Sequence, residues 1–289
     1  MNIYKISSRT MPLFLAFLIS FSLSAQNLEN SLLWKVEKEN IKPSYIFGTF
    51  HLLSKNDFEM KSKVMNAFHT SEQLVMELNL GNPGLQMEMM MHMAMKDGMT
   101  LDKLIDSVNY KKLDEAVKDA IGMGVMMFNT FKPMMVGTFL ILNYIEGEPA
   151  SLEMTLTSMA KEREMPIFGL ETIEYQLSIF DEIPYEDQVI DLMEMVNDTK
   201  KMQALYADMV ANYKDENINA LYHLTVEDAG SKKELEFLLF KRNREWVKKV
   251  EELSRDHATF YAVGAAHLGG KEGMIKLLEK EGYKVTPIL

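Results

Sequence analysis

Two segments, Tyr45-Ile46-Phe47-Gly48-Thr49-Phe50-His51-Leu52 and Tyr261-Ala262-Val263-Gly264-Ala265-Ala266-His267-Leu268, share the pattern Tyr-x-x-Gly-x-x-His-Leu. Imidazole is the side chain best suited to exchange a proton near neutral pH or to offer a nitrogen lone pair to a metal ion. In each copy an apolar run leads into Gly, where the chain can turn sharply or admit another group, and His follows. Residues at the carboxyl end of a sheet strand face the crevice in which α/β proteins bind ligands. Two His delivered by the same device, more than 200 residues apart, are expected to converge on one site. The alternative is two unrelated His with ordinary hydrogen-bonding roles.

Two acids join them as candidates. Glu77 lies inside the apolar run Leu74-Val75-Met76-Glu77-Leu78, and burying a carboxylate is costly unless it is paired, hydrogen-bonded or metal-bound. Strand alternation puts Val75 and Glu77 on one face and Leu74, Met76 and Leu78 on the other; an edge-strand acid facing solvent is the competing reading. Glu171 follows Phe168-Gly169-Leu170 and precedes Thr172, a strand, a Gly and a helix start, where an acid also serves simply as a partner for the helix dipole. Two His and one carboxylate form a common three-ligand set with a coordination position open for water.

These residues need a sheet to carry them. β-branched and aromatic residues concentrate at Leu33–Val36, Tyr45–Thr49, Leu74–Leu78, Pro166–Leu170, Phe260–Val263 and Val285–Leu289, each bounded by turn or charge signals. Lys42-Pro43-Ser44 marks a turn, so the first two are expected to form a hairpin. Apolar spacing of three and four residues predicts helices at Phe58–Thr70, Leu85–Lys96, Asn109–Ile121, Met134–Glu146, Leu152–Arg163, Tyr185–Tyr213, Lys232–Leu253 and Gly273–Lys280. The pattern is α/β (α+β): a small mixed sheet surrounded by many helices, with a helical insertion at about residues 85–160.

Composition narrows the chemistry. A chain of 289 residues, 47% hydrophobic and 25% charged, is an ordinary globular sequence, which excludes disorder, collagen and coiled coil. The absence of cysteine excludes disulfides, thiol nucleophiles, thiolate zinc sites and iron–sulfur clusters. Residues 1–25 carry Lys5 and Arg9 and no acid, then an apolar run from Met11 to Phe21, then Ser22-Leu23-Ser24-Ala25, the order of a secretory signal peptide cleaved near Ala25. That run is too short to span a bilayer, and no later one is long enough, so export to the periplasm or exterior without a stable membrane anchor is expected. Removing two basic residues from 31 leaves 29 against 42 acids, a net charge of −13 over residues 26–289, which disfavours nucleic acid and anionic membrane surfaces as partners. No linker or composition break divides residues 26–289, which read as one domain.

The chain resembles the TraB/GumN family, related to the Tiki metalloproteases and more distantly to erythromycin esterases. The resemblance runs through Leu32-Leu33-Trp34-Lys35-Val36, Pro43 to His51, Leu74 to Leu78, Lys132-Pro133, Gly169-Leu170-Glu171-Thr172 with Gln176, Arg242-Asn243, Val263 to Leu268 and Gly282-Tyr283-Lys284-Val285. It implies an active site formed by His51, Glu77 and His267, with Arg242 and Asn243 matching the family's Arg-Asn pair. Where relatives often have Asp after the insertion this chain has Glu153, and the resemblance transfers no role to it.

The implied chemistry is metal-dependent hydrolysis of a peptide or a small ester or amide. His51, Glu77 and His267 would hold a divalent ion, with manganese, cobalt and zinc all compatible, that acidifies water and polarises a carbonyl. Arg242 would stabilise the developing oxyanion or orient a substrate carboxylate; otherwise it is a salt-bridging residue on a basic helix with Lys241, Arg244, Lys248 and Lys249. Glu171 is the candidate general base or orienting carboxylate.

Two other readings stay open. One is a metal-free esterase with a His general base. The other is an exported binding protein that uses its methionines, since twelve of the 25 Met lie between Met87 and Met135. Met-rich helices serve as adaptable core, lid or partner surface, and thioethers also suit Cu(I). His-Glu-x-x-His, Gly-x-Ser-x-Gly, phosphate-loop and EF-hand signatures are absent from the sequence. His69, His223 and His257 fall on helix or loop surfaces and receive no role.

Overall fold

A computed structural model describes residues 28–228 and 231–289; the signal-peptide expectation for residues 1–25 lies outside them. The strands are β1 (Leu33–Glu37), β2 (Ser44–Thr49), β3 (Leu53–Ser54), β4 (Gln73–Met76), β5 (Pro149–Ala150), β6 (Ile167–Gly169), β7 (Thr259–Gly264) and β8 (Lys284–Pro287). The α-helices are α1 (Ser62–His69), α2 (Leu85–His92), α3 (Leu101–Leu104), α4 (Ser107–Ile121), α5 (Pro133–Leu140), α6 (Leu152–Glu162), α7 (Ile173–Ile179), α8 (Tyr185–Asn197), α9 (Thr199–Lys214), α10 (Ile218–Asp228), α11 (Lys232–Leu235), α12 (Lys241–Ser254) and α13 (Met274–Lys280).

Six strands form one sheet in the order β6-β4-β7-β2-β1-β8, and β3 pairs with β5 in a separate two-stranded ladder. The expected hairpin is present: β1 runs antiparallel to β2, and β8 antiparallel to β1. From β2 across β7 and β4 to β6 the pairing is parallel. A mixed sheet with helices around it is thus the observed architecture, as the sequence pattern implies.

Both sheet faces are covered, so β4 and β7 are buried at every position and, beyond Gln73 and Thr259 at their starts, run apolar instead of alternating with polar residues. On one face Phe47, Leu74, Met76, Phe260 and Ala262 pack with Val64 and Phe68 of α1, Leu152 and Leu156 of α6, and Val210 and Tyr213 of α9. On the other, Ile46, Val75, Tyr261 and Val263 pack with Trp246, Val247 and Val250 of α12 and Ile275 and Leu278 of α13. The alternation read from Leu74-Val75-Met76 therefore holds. A third cluster joins Leu101, Leu113, Val117, Val125, Val136 and Leu140 to Leu192 and Met193 of α8, so the helical layer between β4 and β6 draws on a helix from beyond it.

The helix boundaries differ from the periodicity in two informative places. The run Tyr185–Tyr213 is broken at Asp198, whose side chain accepts from Lys201 N–H and caps α9. A local side-chain cap ends one helix and begins another without interrupting the apolar spacing. The run Lys232–Leu253 contains a π-helical turn at Glu236–Phe240 between α11 and α12, and such turns mark places where a helix re-aims its side chains.

The methionines divide by depth. Met95, Met135, Met165, Met193, Met202 and Met274 are buried, whereas Met87, Met90, Met91, Met123, Met126, Met127 and Met154 are exposed. Met89 and Met93 pack with Leu78, Ile173 and Leu177, which seats α2 on α7. Core filling therefore accounts for part of the methionine surplus. Among the described residues no helix is long and apolar enough to cross a membrane.

Candidate active site

β2, β7 and β4 are parallel neighbours, so their carboxyl ends share one edge of the sheet. Glu77 follows β4 directly, His51 lies two residues beyond β2, and His267 ends the short 3-10 turn Ala265–His267 after β7. The two copies of the repeated pattern thus lie side by side. They are offset by one residue, with Thr49 opposite Gly264 and Gly48 opposite Val263.

The two glycines do different work. A side chain at Gly48 would meet Leu268 Cδ1 at 2.8 Å and Ala265 Cα at 3.1 Å, so this Gly lets the first copy pack against the second. A side chain at Gly264 would meet Glu77 Oε1 at 3.3 Å, His51 Nε2 at 3.5 Å and His267 Cδ2 at 3.6 Å. The missing Cβ of Gly264 is the hollow around which the three expected ligands gather. The Gly264 N–H also donates to Glu77 Oε1 at 2.8 Å, tying the acid to the floor of that hollow.

Each imidazole is gripped from behind. His267 Nδ1 stands 2.6 Å from Asn243 Oδ1, and Asn243 Nδ2 donates to the carbonyls of His267 and Glu272. An amide oxygen only accepts, so the proton sits on Nδ1 and Nε2 presents its lone pair. His51 Nδ1 stands 2.8 Å from Glu153 Oε1, while Glu153 Oε2 accepts from Ser151 Oγ at 2.9 Å. An acceptor on Nδ1 that leaves Nε2 toward the site is the usual support of a metal-ligating imidazole.

Burial differs sharply between the two rings, and so does their charge. His267 is 5% exposed. Its desolvation, with the positive charges of Arg242 and His51 adding and Glu77 opposing, pushes it down to about 3. His51 has a side chain 69% exposed at the mouth. Loss of water contacts works against its charge, but the Glu153 hydrogen bond and the carboxylates of Glu77 and Glu153 overcome this and raise it to about 9.

Arg242 is the other charge of the site, and all five of its N–H groups are engaged. Nε and Nη2 grip Glu171 side-on at 3.2 and 2.5 Å, and Nη2 also reaches Glu77 Oε2 at 2.6 Å. Nη1 donates to Leu238 O at 3.0 Å and to His267 Nε2 at 3.3 Å. Leu238 belongs to the π-helical turn, so that turn helps to aim the guanidinium. Trp246 lies beneath it, 4.6 Å from its ring centre to the Arg242 carbon, and donates its own N–H to Glu171 Oε2 at 3.1 Å. Desolvation would raise Glu77, but Arg242 above all, then the two His and the Gly264 N–H, hold its carboxyl well below the usual range. In Glu171 desolvation wins over Arg242, and its carboxyl is pushed up.

His51, Glu77, Glu171, Arg242, Asn243 and His267 are therefore brought together. Glu77 directly follows an interior strand, with its side chain 12% exposed, so it is no solvent-facing edge acid. Glu171 has both oxygens occupied by Arg242 and Trp246, an orienting arrangement. Glu153, to which the sequence assigned no role, is the anchor of His51. Gln176 of α7 adds a donor to Glu77 Oε2 at 3.3 Å.

Two imidazoles with supported Nδ1 and a carboxylate fit a divalent ion in donor chemistry. As the side chains stand, no three His, Asp or Glu among the described residues are arranged to hold one, and the cation touching Glu77 and His267 is the guanidinium of Arg242.

The model of the TraB/PrgY/gumN family matches residues 32–287. The chain is similar to Metalloprotease TIKI2 of Danio rerio, 22% identical over 315 residues covering 89% of this chain and 60% of that protein. It is also 22% identical to the Metalloprotease TIKI homolog of Amphimedon queenslandica, covering 92% of this chain and 63% of the relative. The chain thus spans about three fifths of the length of the curated relatives it matches. No solved structure matches it.

Proposed function

The chain belongs to the TraB/PrgY/gumN family, and from that premise we propose that it is an exported metal-dependent hydrolase acting on peptides. The observation that carries this reading is the hollow at Gly264, where Glu77 Oε1 and His51 Nε2 lie 3.3 and 3.5 Å from one point, with His267 beside them. His51, Glu77 and His267 would hold the ion, which when bound supplies Lewis acidity toward water and a scissile carbonyl. The relatives' printed names, which describe metalloproteases, support the same class.

The protein's own residues supply the rest. Asn243 and Glu153 each take the Nδ1–H of one ring and so turn Nε2 toward the hollow. Arg242, held flat by Glu171 and Trp246, fixes a positive charge beside the hollow, the requirement for stabilising negative charge that develops on a carbonyl oxygen. Glu171 positions Arg242. In the ion-free protein Glu153 and Glu77 hold a proton on His51 up to about 9, a proton that a bound ion and a general-base role alike must displace.

The test is hydrolysis of a mixed peptide library by the purified protein before and after chelation, then with manganese, cobalt or zinc restored. Activity that disappears with the chelator, returns with one of the ions and is lost in His51→Ala and His267→Ala supports the reading. Undiminished cleavage by thoroughly chelated protein contradicts it. Export is tested separately: protein recovered outside the cytoplasm should begin at Gln26, and recovery only from the cytoplasm with Met1 intact contradicts that part.

A further inference from the structure

An imidazole nitrogen has a single lone pair. That of His267 Nε2 is already used, because Arg242 Nη1 donates to it at 3.3 Å while the same guanidinium sits on Glu77 Oε2. We propose that Arg242 is an internal competitor of the ion, occupying the cation's place on His267 and Glu77 until an ion displaces its Nη1–H. This rests on the metal-dependent reading above and adds to it that the ion-free site is a closed state of its own.

Three observations carry the inference. First, the guanidinium bridges the cluster: Arg242 lies within hydrogen-bonding distance of both Glu77 and Glu171, each of them nearly buried. A buried carboxylate without a cation is strongly disfavoured, and in the ion-free site Arg242 fills that need. Second, His267 is buried and gives its Nδ1–H to Asn243 Oδ1, so the lone pair of Nε2 requires a donor, and Arg242 Nη1 is the one that faces it. Third, the displacement is small. Nε and Nη2 stay on Glu171, the other Nη1–H stays on Leu238 O, and Trp246 stays under the plane. Ion uptake therefore costs one charge-assisted hydrogen bond plus the nearness of two cations, and it leaves a freed N–H held at the same place, where a substrate oxygen can take it.

The competition is read by zinc titration of the chelated full-length protein, in wild type, Arg242→Lys and Arg242→Met, with urea midpoints confirming that each is folded. Lys keeps the charge, but a compact ammonium cannot grip Glu171 side-on and reach His267 together. Loss of one charge-assisted hydrogen bond corresponds to about a tenfold change, so zinc should bind the Lys variant about tenfold tighter than wild type, and the Met variant tighter still. Equal or weaker zinc binding by both variants, with wild type binding well, overturns the proposal while leaving the metal-dependent reading intact. No zinc binding by any of the three overturns both. In wild-type protein, independent of any variant, the nitrogen NMR signal of Arg242 Nη1 should lose its hydrogen-bonded shift as zinc is added. A signal unchanged at saturating zinc overturns the proposal.

Discussion

Glu153 Oε1 meets His51 Nδ1 at 2.8 Å, across 102 residues of chain, and is the carboxylate that fixes which nitrogen of this exposed ring faces the site. Replacing Glu153 with Gln or Ala is expected to return His51 from about 9 toward the ordinary value of about 6.5. Supports of this kind typically contribute about 10- to 100-fold to metal affinity or activity. Histidine NMR titration and zinc binding of the variant check both statements; an unshifted His51 would show that the other carboxylates suffice.

Asn243 plays the corresponding part for His267, but in a buried place. Asn243→Ala removes the acceptor of His267 Nδ1–H and the donors to two carbonyls. Each buried group left without a partner costs about 1–3 kcal/mol, so a clear fall in the urea midpoint should accompany loss of activity. Unchanged stability would mean that water replaces the amide.

Gly264→Ala tests the hollow with little disturbance to the fold. The backbone at Gly264 has φ −53°, which any residue adopts, and the added methyl would rest at 3.3–3.6 Å from Glu77 Oε1, His51 Nε2 and His267 Cδ2. Zinc binding and hydrolysis should fall by more than about tenfold, a loss of about 1.4 kcal/mol, with the melting temperature nearly unchanged. Gly48→Ala, which drives a methyl into Leu268 and Ala265, should instead cost stability, by about 1–3 kcal/mol.

How stability varies with pH follows from the opposite shifts of the two rings in the chelated protein. His267 stays neutral down to about 3, whereas an unfolded imidazole is protonated below about 6.5. Over that interval the unfolded chain binds the extra proton, so acid lowers stability. His51 keeps its proton up to about 9; its contribution is complete below about pH 6.5 and is lost as pH rises through the folded value. Urea midpoints should peak between these limits, and His51→Gln should flatten the alkaline side alone. An alkaline limb unaltered in His51→Gln contradicts the assignment.

The paired Tyr-x-x-Gly-x-x-His pattern was legible because strand, Gly and His are consecutive in the chain, and Glu77 because a carboxylate in an apolar run is conspicuous. Glu153 was not legible: Ser151-Leu152-Glu153 reads as an ordinary helix start, and Ser151 does cap α6, so nothing local announces a partner 102 residues away. The π-helical turn that sets Leu238 O against Arg242 Nη1 was hidden for a related reason, since Phe237-Leu238-Leu239-Phe240 is apolar at every position and shows no break in phase. The short β3–β5 ladder and α10 also went unread. The ladder is two residues a side, held by where its neighbours put it and not by its own propensity. The adjacency of β2 and β7 was implied by their common motif, but the one-residue offset in register depends on Gly48 packing against Leu268 and Ala265.

The central claim is that His51, Glu77 and His267 hold one divalent ion over Gly264. Anomalous difference maps from crystals of the full chain grown with zinc, recorded on both sides of the zinc edge, test it directly. The expected result is a single strong peak bounded by His51 Nε2, Glu77 Oε1 and His267 Nε2, with Arg242 Nη1 withdrawn from His267. Saturating zinc with no peak in that hollow, and Arg242 still on His267 Nε2, would contradict it.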